Sequence, residues 1–228
     1  MKNSLLVLVL LFSQISIAQT LKDRFPPGSG SNFKMTMSQG GPSIQVGIYI
    51  ASAKSSSVNI EYFIESQSGL IPISMWQQFE IDLGAGFGAK IKNGYVKTKE
   101  LPKPEKMTSE YLLGGTGVQV NDFLFNDPKV LQKNKVGDET IQILAGETKS
   151  AHYRTSNNGQ TVDYWISDEA KPIGLVKLIS SHPKDANQNY SLELSGLMRN
   201  VKPMIDPAQA VPLTATGKSF LVKPGSIR

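Results

Sequence analysis

The sequence predicts a mainly β protein (α+β), built on antiparallel strands with a few short helices. Three observations predict it. Apolar residues recur at every second position in several stretches, as they do in half-buried strands. Two Asn-Gly dipeptides, Asn93-Gly94 and Asn158-Gly159, are hairpin-turn signals between such stretches. Helix-start signals are confined to two short segments, near residues 108 and 128.

The chain has 228 residues, 39% hydrophobic and 19% charged, with no Cys. A chain of this size buries roughly 70% of its unfolded surface as one domain. The composition excludes collagen, coiled coil, a disulfide-stapled mini-protein and wholesale disorder. Without cysteine there is no thiolate metal site and no Cys nucleophile. A multi-histidine zinc site would have to use both His152 and His182 plus carboxylates. The formal net charge of +5 favours anionic partners mildly. The basic residues are mostly dispersed lysines, so a nucleic-acid partner is not expected.

The first 18 residues read as a secretory signal peptide. Lys2 precedes the apolar run Leu5–Phe12, and Ser16-Ile17-Ala18 supplies small residues for cleavage after Ala18. The run is shorter than the ~20 residues of a transmembrane helix, and no Cys follows the cleavage site to carry a lipid. A periplasmic or secreted location without a transmembrane segment is the expectation. Residues 19–32, with Pro26-Pro27-Gly28-Ser29-Gly30-Ser31, read as a flexible leader. Residues 33–200 form one domain, and residues 201–228, with Pro203, Pro207, Pro212 and Pro224, an extended tail strapped across it.

Within the domain, Ile44, Val46, Ile48 and Ile50 share one strand face, and Val58, Ile60, Tyr62 and Ile64 share the next. Met75, Phe79, Ile81 and Leu83 alternate with Trp76, Gln78, Glu80 and Asp82. A type I′ turn at Asn93-Gly94 pairs Lys92 with Tyr95, Ile91 with Val96 and Lys90 with Lys97. That register puts Lys90, Lys92 and Lys97 on one face as a basic rim, either solvated or set to meet acidic headgroups or an acidic partner. Lys99–Lys106 reads as a loop and residues 108–114 as a helical turn or two. Asp127-Pro128 caps a helix that Gly137 ends.

The second turn, at Asn158-Gly159, pairs Thr155 with Val162, Arg154 with Asp163, Tyr153 with Tyr164 and His152 with Trp165. One face then carries Tyr153, Tyr164 and Ile166 as core. The other carries a polar spot of His152, Arg154, Asp163 and Trp165, read as ordinary pair stabilisation or as a recognition spot with a titratable imidazole. Residues 173–179 are apolar on both faces apart from Lys177, so something covers each side. Tyr190, Leu192 and Leu194 alternate with Ser191, Glu193 and Ser195 as a last one-sided strand.

No catalytic motif emerges. Gly84–Gly88 and Gly114–Gly117 lack the strand-to-helix setting and lysine of a phosphate loop. Ser31–Lys34 and Ser181–Lys184 match Ser-x-x-Lys without a helical turn beneath them. The Asn189-Tyr190-Ser191 sequon falls in a strand and is ascribed to chance. The expectation is no enzyme, no cofactor and no metal.

Tyr164-Trp165-Ile166-Ser167-Asp168 followed by Pro172-Ile173-Gly174-Leu175-Val176-Lys177, between a His152-Tyr153-Arg154-Thr155 strand and the Tyr190–Leu194 strand, resembles a pattern in exported bacterial proteins of the LolA/LolB-like lipoprotein-carrier superfamily. The resemblance covers roughly residues 135–200. It implies a strongly curved antiparallel sheet, an unclosed half-barrel with short helices covering the concave face over an apolar cavity, which in the carriers holds lipoprotein acyl chains. No functional residue of the carriers maps onto this chain.

The expected cavity lining is Ile44, Val46, Ile48, Val58, Ile60, Tyr62, Phe79, Ile81, Tyr153, Tyr164 and Ile166. The functional expectation is an exported binding or carrier protein for a hydrophobic ligand, whether lipid, acyl chain or lipoprotein. The alternative is a cell-envelope structural or interaction module that engages a protein partner through sheet edges and the tail.

Overall fold

The computed structural model describes residues 22–40, 43–66, 73–83, 90–112, 128–157, 159–186 and 189–221. The expected signal peptide, both glycine-rich loops, residues 118–126, Asp127, Asn158 and the end of the tail lie outside them.

Twelve strands form one curved sheet that does not close into a barrel. They are β1 (Gly30–Met37), β2 (Ile44–Ala53), β3 (Ser57–Ser66), β4 (Ile73–Asp82), β5 (Lys90–Thr98), β6 (Glu105–Lys106), β7 (Lys135–Ile143), β8 (Gly146–Asn157), β9 (Gln160–Ile166), β10 (Leu175–Ser181), β11 (Tyr190–Met198) and β12 (Val211–Pro212). The spatial order is β12-β6-β5-β4-β3-β2-β1-β11-β10-β9-β8-β7. Every pair is antiparallel except β12 with β6. Among the described residues, short helices accompany the sheet, including α1 (Ser109–Leu112), α2 (Pro128–Lys133) and α3 (Ala215–Ser219).

The registers put the apolar alternation on one continuous face. Ile50, Ile60, Phe79 and Gly94 lie opposite one another across β2 to β5. Val46 continues through Phe33 to Leu194, while Tyr153, Tyr164, Leu178 and Leu192 line up across β8 to β11. Helices cover this face from within the chain: a Cβ on Gly94 would meet Leu112 Cδ2 at 2.6 Å and Met107 Sδ at 3.0 Å, and Leu131 of α2 packs against the core.

That contact corrects the first hairpin. The Asn93-Gly94 segment is no turn. β5 runs unbroken through it, with Phe79 opposite Gly94, and a bulge at Lys92 separates the Ile81–Ile91 pair from the Glu80–Asn93 pair. Turn propensity is a local preference. Here β4 offers a full backbone partner, and the glycine is needed for close approach of the covering side chains. The Asn158-Gly159 hairpin forms in the register expected, including Tyr153–Tyr164 and His152–Trp165.

Three further expectations change. Gly137 does not end a helix, because α2 stops at Lys133 and Gly137 lies within β7, beside a bulge at Val136. Residues 22–32 are not a loose leader. Phe25 is 1% exposed, the Gly28 amide donates to Ile50 O at 2.7 Å, and Gly30–Asn32 open β1. On the doubly apolar strand, Leu175, Val176 and Leu178 are buried while Ile179 is exposed. Beyond the Lys177–Glu193 pair β10 parts from β11, and the tip of the β7–β8 hairpin reaches in, with Ala145 N–H donating to Leu194 O at 3.1 Å.

The tail crosses the outer face. Tyr49, Glu61, Gln78 and Tyr95 form a row there. The fully buried Glu61 carboxylate accepts from the Tyr49 hydroxyl, from Gln78 Nε2 at 2.8 Å, and from the amides of Met204 at 2.8 Å and Ile205 at 3.1 Å. Gln78 Nε2 also donates to Ile205 O at 3.0 Å. The chain then pairs as β12 along β6, and buried Glu105 accepts from the Thr214 amide at 2.8 Å and hydroxyl at 2.7 Å. Leu213 and Leu221 join the packing around the core.

Two outcomes are expected from this strap. Hydrogen bonds to a charged group are worth about 1.5–3 kcal/mol each, so Glu61→Ala, which strands several donors at once, should lower stability by about 3 kcal/mol or more in urea titration. It should also expose residues 201–214 to protease. Burial, with the Glu61 carboxylate beside it, pushes the Tyr49 hydroxyl well above the ordinary phenol range. The unfolded phenol titrates near 10, so above that pH the unfolded state releases a proton that the folded state keeps, and stability falls as pH rises. Urea titrations from about pH 9 to 11 should show that fall, less steeply in Tyr49→Phe.

Candidate functional site

The eleven residues expected to line a cavity all lie on the inner, apolar face of the sheet, at different depths. Ile48, Val58 and Ile60 are 0% exposed and Ile81 1%. Val46, Tyr62, Phe79 and Tyr164 are nearly as buried. Tyr62 meets Phe79 edge to face at 5.7 Å and Tyr153 stacks on Tyr164 at 5.4 Å. Ile44, Tyr153 and Ile166 are half-buried.

The half-buried members have neighbours that periodicity did not single out. Met35, Met37, Ile44 and Met75 are partly exposed and packed against the core, as are Leu131, Tyr153 and Val162. The registers place Met35 opposite Ile44 on one side and Leu192 on the other, with Met37 opposite Tyr190 and Met75 opposite Ile64. They form an apolar strip along one end of the inner face. Met35 and Met37 come from β1, whose alternation of Ser31, Phe33, Met35 and Met37 carries the period-two signal. Methionine suits such a surface, because its flexible thioether adapts to irregular apolar shapes.

Two polar atoms on this face are buried with no hydrogen-bond partner: Ser31 Oγ and Gln77 Oε1. They sit in one cross-strand row with Ile48 and Tyr62 between them. Gln77 is 4% exposed, and its Nε2 has only Met75 Sδ, at 3.6 Å. A buried acceptor left open costs free energy.

The polar spot is on the opposite face and is larger than the sequence suggested. His152 stacks on Trp165 at 4.3 Å with planes 13° apart. Its Nε2 lies 2.6 Å from Asp163 Oδ1 and its Nδ1 3.2 Å from Glu139 Oε1. Arg154 Nε donates to Asp163 at 2.8 Å, Trp165 Nε1 to Glu139 at 2.5 Å, and the Lys177 ammonium lies 5.7 Å from the Trp165 ring centre. Glu139 lies on β7, a strand whose charged residues hide its alternation. Among the described residues no cluster of three metal-ligating side chains occurs, and this spot ties β7, β8, β9 and β10 together.

The basic rim does not assemble. With no hairpin at residues 93–94, Lys90 is opposite Asp82. Lys92 Nζ pairs with Asp82 at 2.7 Å, and Lys97 Nζ donates to Leu101 O at 2.9 Å.

Two cavities open toward the β9 end of the molecule. One, of about 860 Å³, lies between residues 23–29, the 166–174 segment and residues 199–200. The other, of about 720 Å³, lies between β7, β8 and residues 166–169, with Asp138, Glu139, Asp168 and Glu169 against Lys149. Ile166 borders both.

No protein-family model matches the chain, and no curated protein does. Among solved structures it is similar to a Parabacteroides distasonis protein classed as a lipoprotein, at 12% identity over 76% of this chain and 97% of that one, TM-score 0.35. It is similar to a Bacteroides fragilis protein with a YmcC-like fold, at 12% identity over 76% and 96%, TM-score 0.36. It is also similar to the Pseudomonas aeruginosa MucA/MucB complex, at 10% identity over 89% of this chain and 62% of that one, TM-score 0.40. At these values the likenesses carry no functional argument, and the curved open sheet rests on its own strand order. No helix among the described residues is long and apolar enough to cross a membrane.

Proposed function

We propose that the chain is an exported binding or carrier protein that takes the acyl portion of a lipid or lipoprotein on the inner face of its sheet. The observation that carries this reading is the strip of Met35, Met37, Ile44 and Met75, a run of half-covered apolar side chains at one end of a face whose centre, at Ile48, Ile60 and Val58, is sealed. Such area favours an apolar occupant by about 25 cal/mol per Å² removed from water. The apolar run and cleavage pattern of residues 1–18 support export, and the resemblance to the lipoprotein carriers supports the ligand class. No catalytic role is part of the proposal.

The alternative, an envelope interaction module, has one specific support. β7 is an outermost strand of the sheet, with Val136 57% exposed and Leu144, just past its end, 55% exposed. Open edges of this kind accept added strands. The tail is less suited to that role, because its backbone is already held by Glu61 and Glu105.

Binding of a synthetic diacylated lipopeptide, followed by fluorescence anisotropy, tests the carrier reading. Met35→Glu and Met75→Glu each place a charge against the acyl chain and should weaken binding at least about tenfold. Val136→Glu on β7 should leave it unchanged. Wild-type affinity in both methionine variants would overturn the reading.

A further inference from the structure

We propose that the 860 Å³ cavity beside β9 is a second, preformed binding site, which takes a small organic anion with an apolar body and uses Arg199 as its anion contact.

The cavity combines an apolar floor with a charged rim. Phe25 and Ile173, each 1% exposed, lie in the floor with half-buried Ile166 and buried Pro172. Ligand sites of small molecules are concave, mostly apolar and of several hundred Å³, with a few polar groups that orient the guest. The rim groups are Asp23, Arg24, Asp168, Lys171 and Arg199. Lys171 and Asp168 answer each other at 3.0 Å. The Arg24 guanidinium lies 5.1 Å from the Phe25 ring centre, at the edge of the floor. Arg199 makes no ion pair among the described residues, and the rim carries three cations against two carboxylates. The unanswered charge is positive, so an anionic head is the complement.

The walls are pinned before any guest arrives. Gly28 O accepts from the Val201 amide at 2.9 Å, joining the 23–29 segment to the chain that leaves β11. Ser167 N–H donates to Gly174 O, and Gly174 N–H to Ala170 O, both at 2.8 Å, closing the third wall. Three backbone positions at or beside the cavity are left-handed: Gly28 at φ 78°, Gly174 at φ 79° and Asn200 at φ 57°. Asn200 is the one non-glycine residue with positive φ among those described. Strained backbone persists where surrounding structure holds it, and such positions gather at binding sites. A Cβ on Gly28 would come within 3.0 Å of Val201 O, so the junction tolerates no side chain there.

This site is separate from the methionine strip, and its chemistry differs: a short single chain with an anionic head, instead of a long acyl group. Isothermal titration of the full mature chain with decanoate and with decyltrimethylammonium tests it, since the two share a tail and differ in the sign of the head. Decanoate should bind saturably and at least tenfold more tightly than the cation. Arg199→Glu, at an exposed position that leaves the fold intact by circular dichroism, should lower decanoate affinity at least tenfold and remove the preference for the anion. Met35→Glu should leave decanoate binding unchanged, which separates this site from the strip. Equal affinity for the two heads, decanoate binding indifferent to Arg199→Glu, loss of decanoate binding in Met35→Glu, or no decanoate binding to the folded wild type would each overturn the proposal.

Discussion

A single-layer sheet with one oily face must cover that face with its own chain, because among the described residues no second sheet lies against it. The rest of the structure follows from this constraint. Curvature brings β1 to β5 and β8 to β11 around a shared interior, and Met107, Leu112, Leu131 and Phe25 close over it. Gly94 exists in its strand to let that cover descend. The outer face meets the opposite demand. Its central row carries Glu61, a fully buried carboxyl group, and such a group persists only when donors surround it. The tail supplies two of those donors from its backbone, so a proline-rich segment is tied down by these hydrogen bonds together with the burial of Ile205.

Local and tertiary signals agree in some parts of the chain and compete in others. At Asn158-Gly159 the turn residues, the alternation of Tyr153 and Tyr164, and the charge pair Arg154–Asp163 all point to one register, and that register forms. At Asn93-Gly94 the turn chemistry is equally good, but the extended β4 partner and the covering side chains outweigh it. β7 is hidden for another reason. Lys135 to Ile143 is charged or polar at most positions, and its bulge at Val136 breaks the period of two. Its residue Glu139 therefore goes unseen, although it completes the His152–Trp165 cluster.

Alternation names the face that a residue occupies and says nothing of its depth along the strand. Ile48 and Ile44 belong to the same face, yet the first is sealed in the core and the second lies at its margin. The candidate site collects the marginal members, and β1 supplies two of them from a stretch whose flanking Pro-Gly-Ser composition masks its pattern. The basic rim failed on register alone, since a side-chain cluster read across a turn exists only if the turn does. The cavity beside β9 was beyond any reading of periodicity, being assembled from three loops that meet only in the folded chain.

The central claim is that the margin of the inner face receives the long acyl chains of a lipid or lipoprotein. Methionine methyl resonances report on it directly, because Met35, Met37 and Met75 line the strip, Met107 lies under the helical cover and Met204 rides on the outer strap. On titration with the diacylated lipopeptide, the account predicts that the ε-methyl signals of Met35, Met37 and Met75 shift together while Met204 stays fixed. Saturable binding that moves Met204 and leaves those three in place would contradict it.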